Sequence, residues 1–235
     1  MFTDTKGLFA FLIADRDLFL ETVAVKLYEA TRVVDLSYML LFTQTNPYYK
    51  GLFFSRNEVV VTVFVAALLG LIVGMIITSG SSKNDEDFDG AMKCIALVSI
   101  IIYPITATVI NIPNYEYKNW ALIIFGICEF IKFTLNFVME GGLRYNIESS
   151  CRDKSDKFKA AGQLVEHISK FLLFAGAGFF ITYMMRSANI EKVHPWNYTI
   201  SFLILVLPLI ISWSLIGAAQ RIKKKENERR ASYRN

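Results

Sequence analysis

Histidine and cysteine are scarce in this chain of 235 residues, which restricts the chemistry available to it. Its three cysteines, Cys94, Cys128 and Cys151, are too widely spaced for a disulfide framework or a zinc site. The two histidines, His167 and His194, both lie outside the depths of the apolar runs and, on the topology derived below, on opposite faces of a membrane. That argues against a bis-histidine haem, a histidine metal site and a Ser-His triad. GxGxxG, the Walker lysine loop, GxSxG and HExxH are all missing. An enzyme is therefore not expected, and neither is a cofactor. Charged residues make up only 20% of the chain, below the share usual for a soluble domain. The net charge of +4 is modest, and no nucleic-acid partner is expected.

What the chain has in quantity is apolar sequence: 54% of its residues, with a mean hydropathy of +0.38. A membrane span needs about 20 mainly apolar residues to cross roughly 30 Å of hydrocarbon. Five segments qualify: Val59 to Ser79, Cys94 to about Ile112, Trp120 to Met139, Phe171 to Met185 and Tyr198 to Ala219. The expected fold is an all-α membrane protein of about five transmembrane helices, preceded by an N-terminal amphipathic helix. It divides into an amphipathic or interfacial segment over 1–57, a helical bundle over 58–219 and a basic cytoplasmic tail over 220–235.

The first apolar run, Leu8 to Ala14, stops at Asp15, Arg16 and Asp17 without a small-residue cleavage site, unlike a signal peptide. At 100° per residue, Phe9, Leu12, Ile13, Leu20, Val23, Leu27, Ala30 and Val34 share one face of a helix. Asp17, Glu21, Lys26, Glu29 and Arg32 share the other, and Arg16 breaks the apolar side. Such a helix can lie in the membrane interface, pack on a partner, or cover its own bundle.

Basic residues set the orientation. The tail carries Arg221, Lys223, Lys224, Lys225, Arg229, Arg230 and Arg234, and the loop after the third span carries Arg144, Arg152, Lys154, Lys157 and Lys159. The positive-inside rule puts both in the cytoplasm. Five spans then export the N-terminal segment, although it holds Lys6, Arg16, Lys26, Arg32, Lys50 and Arg56. Either that segment crosses against its charge, or a span is miscounted.

The sharpest signal is intramembrane charge. Glu129 sits near the centre of the third span with Lys132 one turn on, and Asn136 and Glu140 continue the same face. A charge at mid-bilayer costs at least about 2.5 kcal/mol on insertion scales, so this stripe should face protein or water rather than lipid. It reads either as the lining of a pore or proton path, or as a neutralised pair buried as interhelical glue.

Ala66, Gly70 and Gly74 repeat every four residues in the first span, a small-residue face suited to close helix packing, including packing between protomers. Ala175, Gly176, Ala177 and Gly178 offer the same in the fourth span. Pro104 and Pro208 are expected to kink the second and fifth. Asp85, Asp87 and Asp89, followed by Gly90, resemble the opening of an EF-hand calcium loop, a weak metal candidate. The twelfth position is Ala96, without a closing carboxylate, so a solvated acidic loop is the better reading. Arg229, Arg230, Ala231 and Ser232 match a basophilic kinase site, and Asn197 heads a sequon too close to the membrane for an acceptor.

Two functions fit these features. The first is an ion or small-solute channel or transport component, homo-oligomeric, with the Glu129 stripe along its path. The second is a non-catalytic structural or assembly subunit of a larger membrane complex. The partners expected are the lipid bilayer together with further copies of the chain or other membrane subunits.

Overall fold

A computed structural model of the chain describes residues 15–44, 54–81, 85–109, 118–150, 155–187 and 203–232. Among the described residues there are six α-helices and no strand: α1 (Arg16–Gln44), α2 (Arg56–Ser81), α3 (Asp85–Val109), α4 (Lys118–Ser150), α5 (Ser155–Ser187) and α6 (Val206–Ser232). Two stretches, Arg56–Ser79 and Asn119–Tyr145, are long and apolar enough to cross a membrane, and Gly90–Thr106 is a shorter apolar helix.

Four helices form a ring in which α1 packs on α6, α6 on α3, α3 on α4 and α4 on α1. Helix α2 lies outside the ring against α4, and α5 lies outside it against α1. Neighbouring contacts give the directions. Thr62 abuts Gly126 and Thr78 abuts Gly141, so α2 and α4 run parallel. Gly162 faces Thr22 and Lys26 while Gly178 faces Tyr38, so α1 and α5 run parallel too. The Ser212 hydroxyl donates to the Ala24 carbonyl at 2.8 Å, and Asp17 and Glu21 share a small cavity with Gln220 and Lys223, so α6 runs against α1. The same cavity holds Met92, and Tyr28 meets Ser99 at 2.8 Å, so α3 runs with α1. Glu140, late in α4, acts electrostatically on Lys26 and Glu29, early in α1, so α4 runs against α1 and successive helices alternate in direction.

Local sequence explains several boundaries. Ser55 and Glu58 form a reciprocal capping box at the start of α2: the Ser55 amide donates to the Glu58 carboxylate at 2.6 Å, and the Glu58 amide to the Ser55 hydroxyl at 3.2 Å. Pro104 lies inside α3 as expected. Pro208 falls in the first turn of α6, where an amide would have no intrahelical partner, and the helix is interrupted just before it, with Leu203 helical and Ile204 and Leu205 in a turn. The basic segment after Ala219 is no separate tail in its secondary structure, since α6 continues through it to Ser232. Asp85, Asp87 and Asp89 fall on helical backbone at the start of α3. Cys151, His194 and Asn197 lie outside the described residues.

The N-terminal helix departs most from the sequence expectation. It does not rest one apolar face on the bundle; it is built into it. Ala24, Val25, Tyr28, Ala30, Val34 and Met39 are buried, and so are Glu21, Glu29, Arg32 and Asp35. Val33 is its one exposed large hydrophobic residue among those described. The other helices show the reverse. Val60, Phe64, Leu68, Ile72 and Ile76 of α2 are exposed, as are Ile101 of α3, Ile123 of α4, Phe171 of α5 and Ile211 of α6. Charge inside and an apolar surface invert the usual arrangement of a water-soluble domain.

The small-residue face of α2 packs within the chain. Ala66 is buried, and Gly70 and Gly74 press on α4. A Cβ added at Gly70 would come within 2.7 Å of the Phe133 Cβ and 3.0 Å of the Thr134 backbone nitrogen, neither of which can swing away. Gly70→Val should therefore destabilise the protein by about 1–3 kcal/mol, as overpacking does. Gly176 has nothing within 4 Å, so Gly176→Ala serves as the neutral control. Thermal unfolding of the two purified variants tests this; equal stability would contradict the close approach of α2 to α4.

Candidate functional site

Helices α1 and α4 each carry two opposite charges at i,i+3 spacing, Arg32 with Asp35 and Glu129 with Lys132, so each pair lies on one helix face. Where the two helices cross, the four side chains close into a ring of alternating charge. Arg32 Nη2 donates to Glu129 Oε2 at 2.5 Å, and Nη1 to Asp35 Oδ2 at 3.0 Å. Lys132 Nζ donates to Asp35 Oδ2 at 2.8 Å and lies 3.5 Å from Glu129 Oε1. Each charge thus has two opposite neighbours, and the ring is neutral. Glu129 and Lys132 are 0% exposed, Asp35 1% and Arg32 4%.

Aromatic faces seat the two cations. The Arg32 guanidinium lies over Phe133 and the Lys132 ammonium over Tyr103, each 4.3 Å from the ring centroid. Tyr103 belongs to α3, so three helices contribute to the site. Beside it, the Tyr28 and Ser99 hydroxyls share a hydrogen bond between α1 and α3.

A second charged group lies towards the end of the bundle where α1 begins and α6 ends. Lys26 Nζ donates to Glu29 Oε2 at 2.6 Å and lies 3.7 Å from Glu166 Oε2, which also pairs closely with Lys170. Glu140 adds its field to Lys26 and Glu29. Burial pushes the Glu166 carboxyl up, but the hydrogen bond and charge of Lys170, with Lys26 beyond, hold it below the ordinary carboxylate range. Buried polar atoms without a hydrogen-bond partner occur in this group (Glu29 Oε1), at the ring (Arg32 Nε and the Tyr103 hydroxyl) and at Asn136 Oδ1, one turn beyond Lys132 on α4. Buried polar atoms are almost always satisfied, by protein or by water. A polar column therefore runs from one end of the bundle to its charged middle. On the far side of the ring Met39, Ala121 and Phe125 are buried, and the buried hydroxyls of Thr43 and Thr106 donate to carbonyls of their own helices.

Of the sequence-derived stripe, Glu129 and Lys132 enter the ring, Asn136 lies beside it, and Glu140 belongs to the outer group. Arg32 and Asp35 were missed as its partners: the amphipathic reading set Arg32 on a polar outer face and gave Asp35 no role. A signal was available, because Arg-x-x-Asp is the charge complement of Glu-x-x-Lys. His167 is exposed on α5, its Nδ1 2.6 Å from the Gln163 carbonyl. Among the described residues, no three His, Cys, Asp or Glu side chains come together to hold a metal ion.

No protein-family model matches the chain, and comparisons with curated proteins and with solved structures likewise find nothing similar.

Removing one member of a buried charge pair typically costs about 3–5 kcal/mol because its partner stays buried and uncompensated. Asp35→Asn leaves Lys132 a single carboxylate, Glu129 at 3.5 Å, and should lower stability on that scale. Adding Lys132→Met removes the stranded cation, so the double variant should unfold at higher denaturant than Asp35→Asn alone. Additive losses in the two single variants and the double would show that the ring is not a coupled unit.

Proposed function

We propose that the chain is a multi-pass integral membrane protein with six crossings, acting as a transport component for an ion or small solute. The observation that carries the reading is the polar column, which reaches from one end of the bundle to a ring of ionisable groups at its middle. Buried ionic clusters can often be exchanged for well-packed apolar residues without loss of stability, so four charges gathered at the middle of the bundle favour a role beyond packing. In membrane proteins such groups mark ion and solute pathways by default.

The inverted polarity supports the membrane setting. The exposed apolar face of α2 runs from Val60 to Ile77, about 26 Å at helical rise, close to the thickness of a bilayer core. The parallel register of α2 with α4 sets Glu129 and Lys132 level with residues 65–69, the middle of that face.

Helix α1 supplies the missing crossing. With six alternating helices, the start of α1 and the end of α6 share one side. Sixteen of the 25 lysines and arginines fall there: Lys6, Arg16, Lys83, Lys93, the five from Arg144 to Lys159 and the seven from Arg221 onward. Lys50, Arg56, Lys118, Arg186 and Lys192 fall on the other. The positive-inside rule makes the first side cytoplasmic. Six spans ease the conflict raised by five, because of the six N-terminal basic residues only Lys50 and Arg56 then lie outside.

A second reading, a non-catalytic subunit of a membrane assembly, is favoured by the ring itself: closed, neutral and buried, it resembles a lock. The two readings differ in flux. The transport reading expects proteoliposomes of the natural chain to pass ions or protons, and Glu129→Gln to cut that flux roughly tenfold or more while the helices stay folded. Absence of flux from inserted, folded protein would move the assignment to the assembly subunit.

A further inference from the structure

A groove of about 730 Å³ opens between α2 and α4 near the cytoplasmic end assigned above. Its walls include Ile72, Met75, Ile76 and Phe137, and its mouth carries Glu140 and Arg144. We propose that this groove holds one aminophospholipid of the cytoplasmic leaflet, with the phosphate on Arg144, the headgroup amine on Glu140 and an acyl chain along the apolar wall. The proposal rests on the membrane reading given above.

Depth and charge both point to this occupant. Arg144 lies about thirteen residues along α4 from the middle of the Glu129–Lys132 pair, roughly 20 Å at helical rise. That distance passes the edge of the hydrocarbon core, about 15 Å from its centre, and enters the headgroup zone. Glu140 lies one turn nearer, at the boundary. Arg144 is exposed, and neither it nor Glu140 has an ion-pair partner among the described residues, although i,i+4 spacing would let them meet. Opposite charges held apart at the mouth of one groove match a headgroup that is itself both anionic and cationic. An anionic headgroup without an amine would meet Glu140 as a like charge, and a quaternary amine could not donate a hydrogen bond to it.

The test uses the full chain in nanodiscs of equal parts phosphatidylethanolamine, phosphatidylcholine and phosphatidylglycerol, with retained lipid read by native mass spectrometry after release from the disc. The expected result is one retained phosphatidylethanolamine, falling about tenfold in Arg144→Ala and recovering in Arg144→Lys. Glu140→Gln should keep a retained phospholipid but lose the preference for the amine. Retention that ignores headgroup and is unchanged in Arg144→Ala would overturn the proposal, as would a preference for phosphatidylglycerol. A dimer lost in Arg144→Ala without lipid selectivity would also overturn it, assigning the groove to a second copy. Failure of the chain to incorporate into nanodiscs and to float with vesicles would instead defeat the membrane reading, a result distinct from all of these.

Discussion

The structure is organised around the need to keep four charges out of an apolar setting. Arg32, Asp35, Glu129 and Lys132 cannot face the surface of this bundle, which is lined with valine, leucine, isoleucine and phenylalanine. They can be buried only together, because each carboxylate or cation alone would carry a desolvation cost of several kcal/mol. Closing them into an alternating ring satisfies that constraint. It fixes the crossing of α1 with α4, brings Phe133 and Tyr103 over the cations, and leaves the remaining helices to shield the ring.

That constraint also explains where α1 goes. By composition it is a poor membrane helix, carrying seven charged residues between Arg16 and Asp35. Surrounded by α3, α4, α5 and α6, it exposes little to any solvent, and its charges meet partners on those neighbours or on itself. Helix α2 is the opposite case: apolar along its length, bound to the bundle through the glycines that let α4 approach. One helix is held by ion pairs and the other by surface fit.

Much of this is legible in the sequence, and the limit is instructive. Apolar runs long enough to span reveal α2 and the core of α4, and Glu129 with Lys132 announces a polar centre on length and charge alone. Gly70 and Gly74 declare a packing face, though not that its partner is α4 of the same chain. Helix α1 stays hidden because hydropathy scores each segment separately, while a helix whose charges are neutralised by another helix is stable only as part of the pair. The orphaned atoms of Glu29, Arg32 and Asn136 depend on three-dimensional placement and have no sequence signature.

The central claim, that a charged helix completes the bundle as a sixth crossing, is tested most directly by sidedness. In sealed, right-side-out vesicles, single cysteines replacing Arg16, Arg56 and Ser232 in a chain freed of its natural cysteines would be probed with a membrane-impermeant thiol reagent. The account predicts that the cysteine at 56 labels from outside, while those at 16 and 232 are protected together until the vesicles are opened. Labelling at 16 and 232 from opposite sides would mean an odd number of crossings, and α1 could not then occupy the centre of a membrane-embedded bundle.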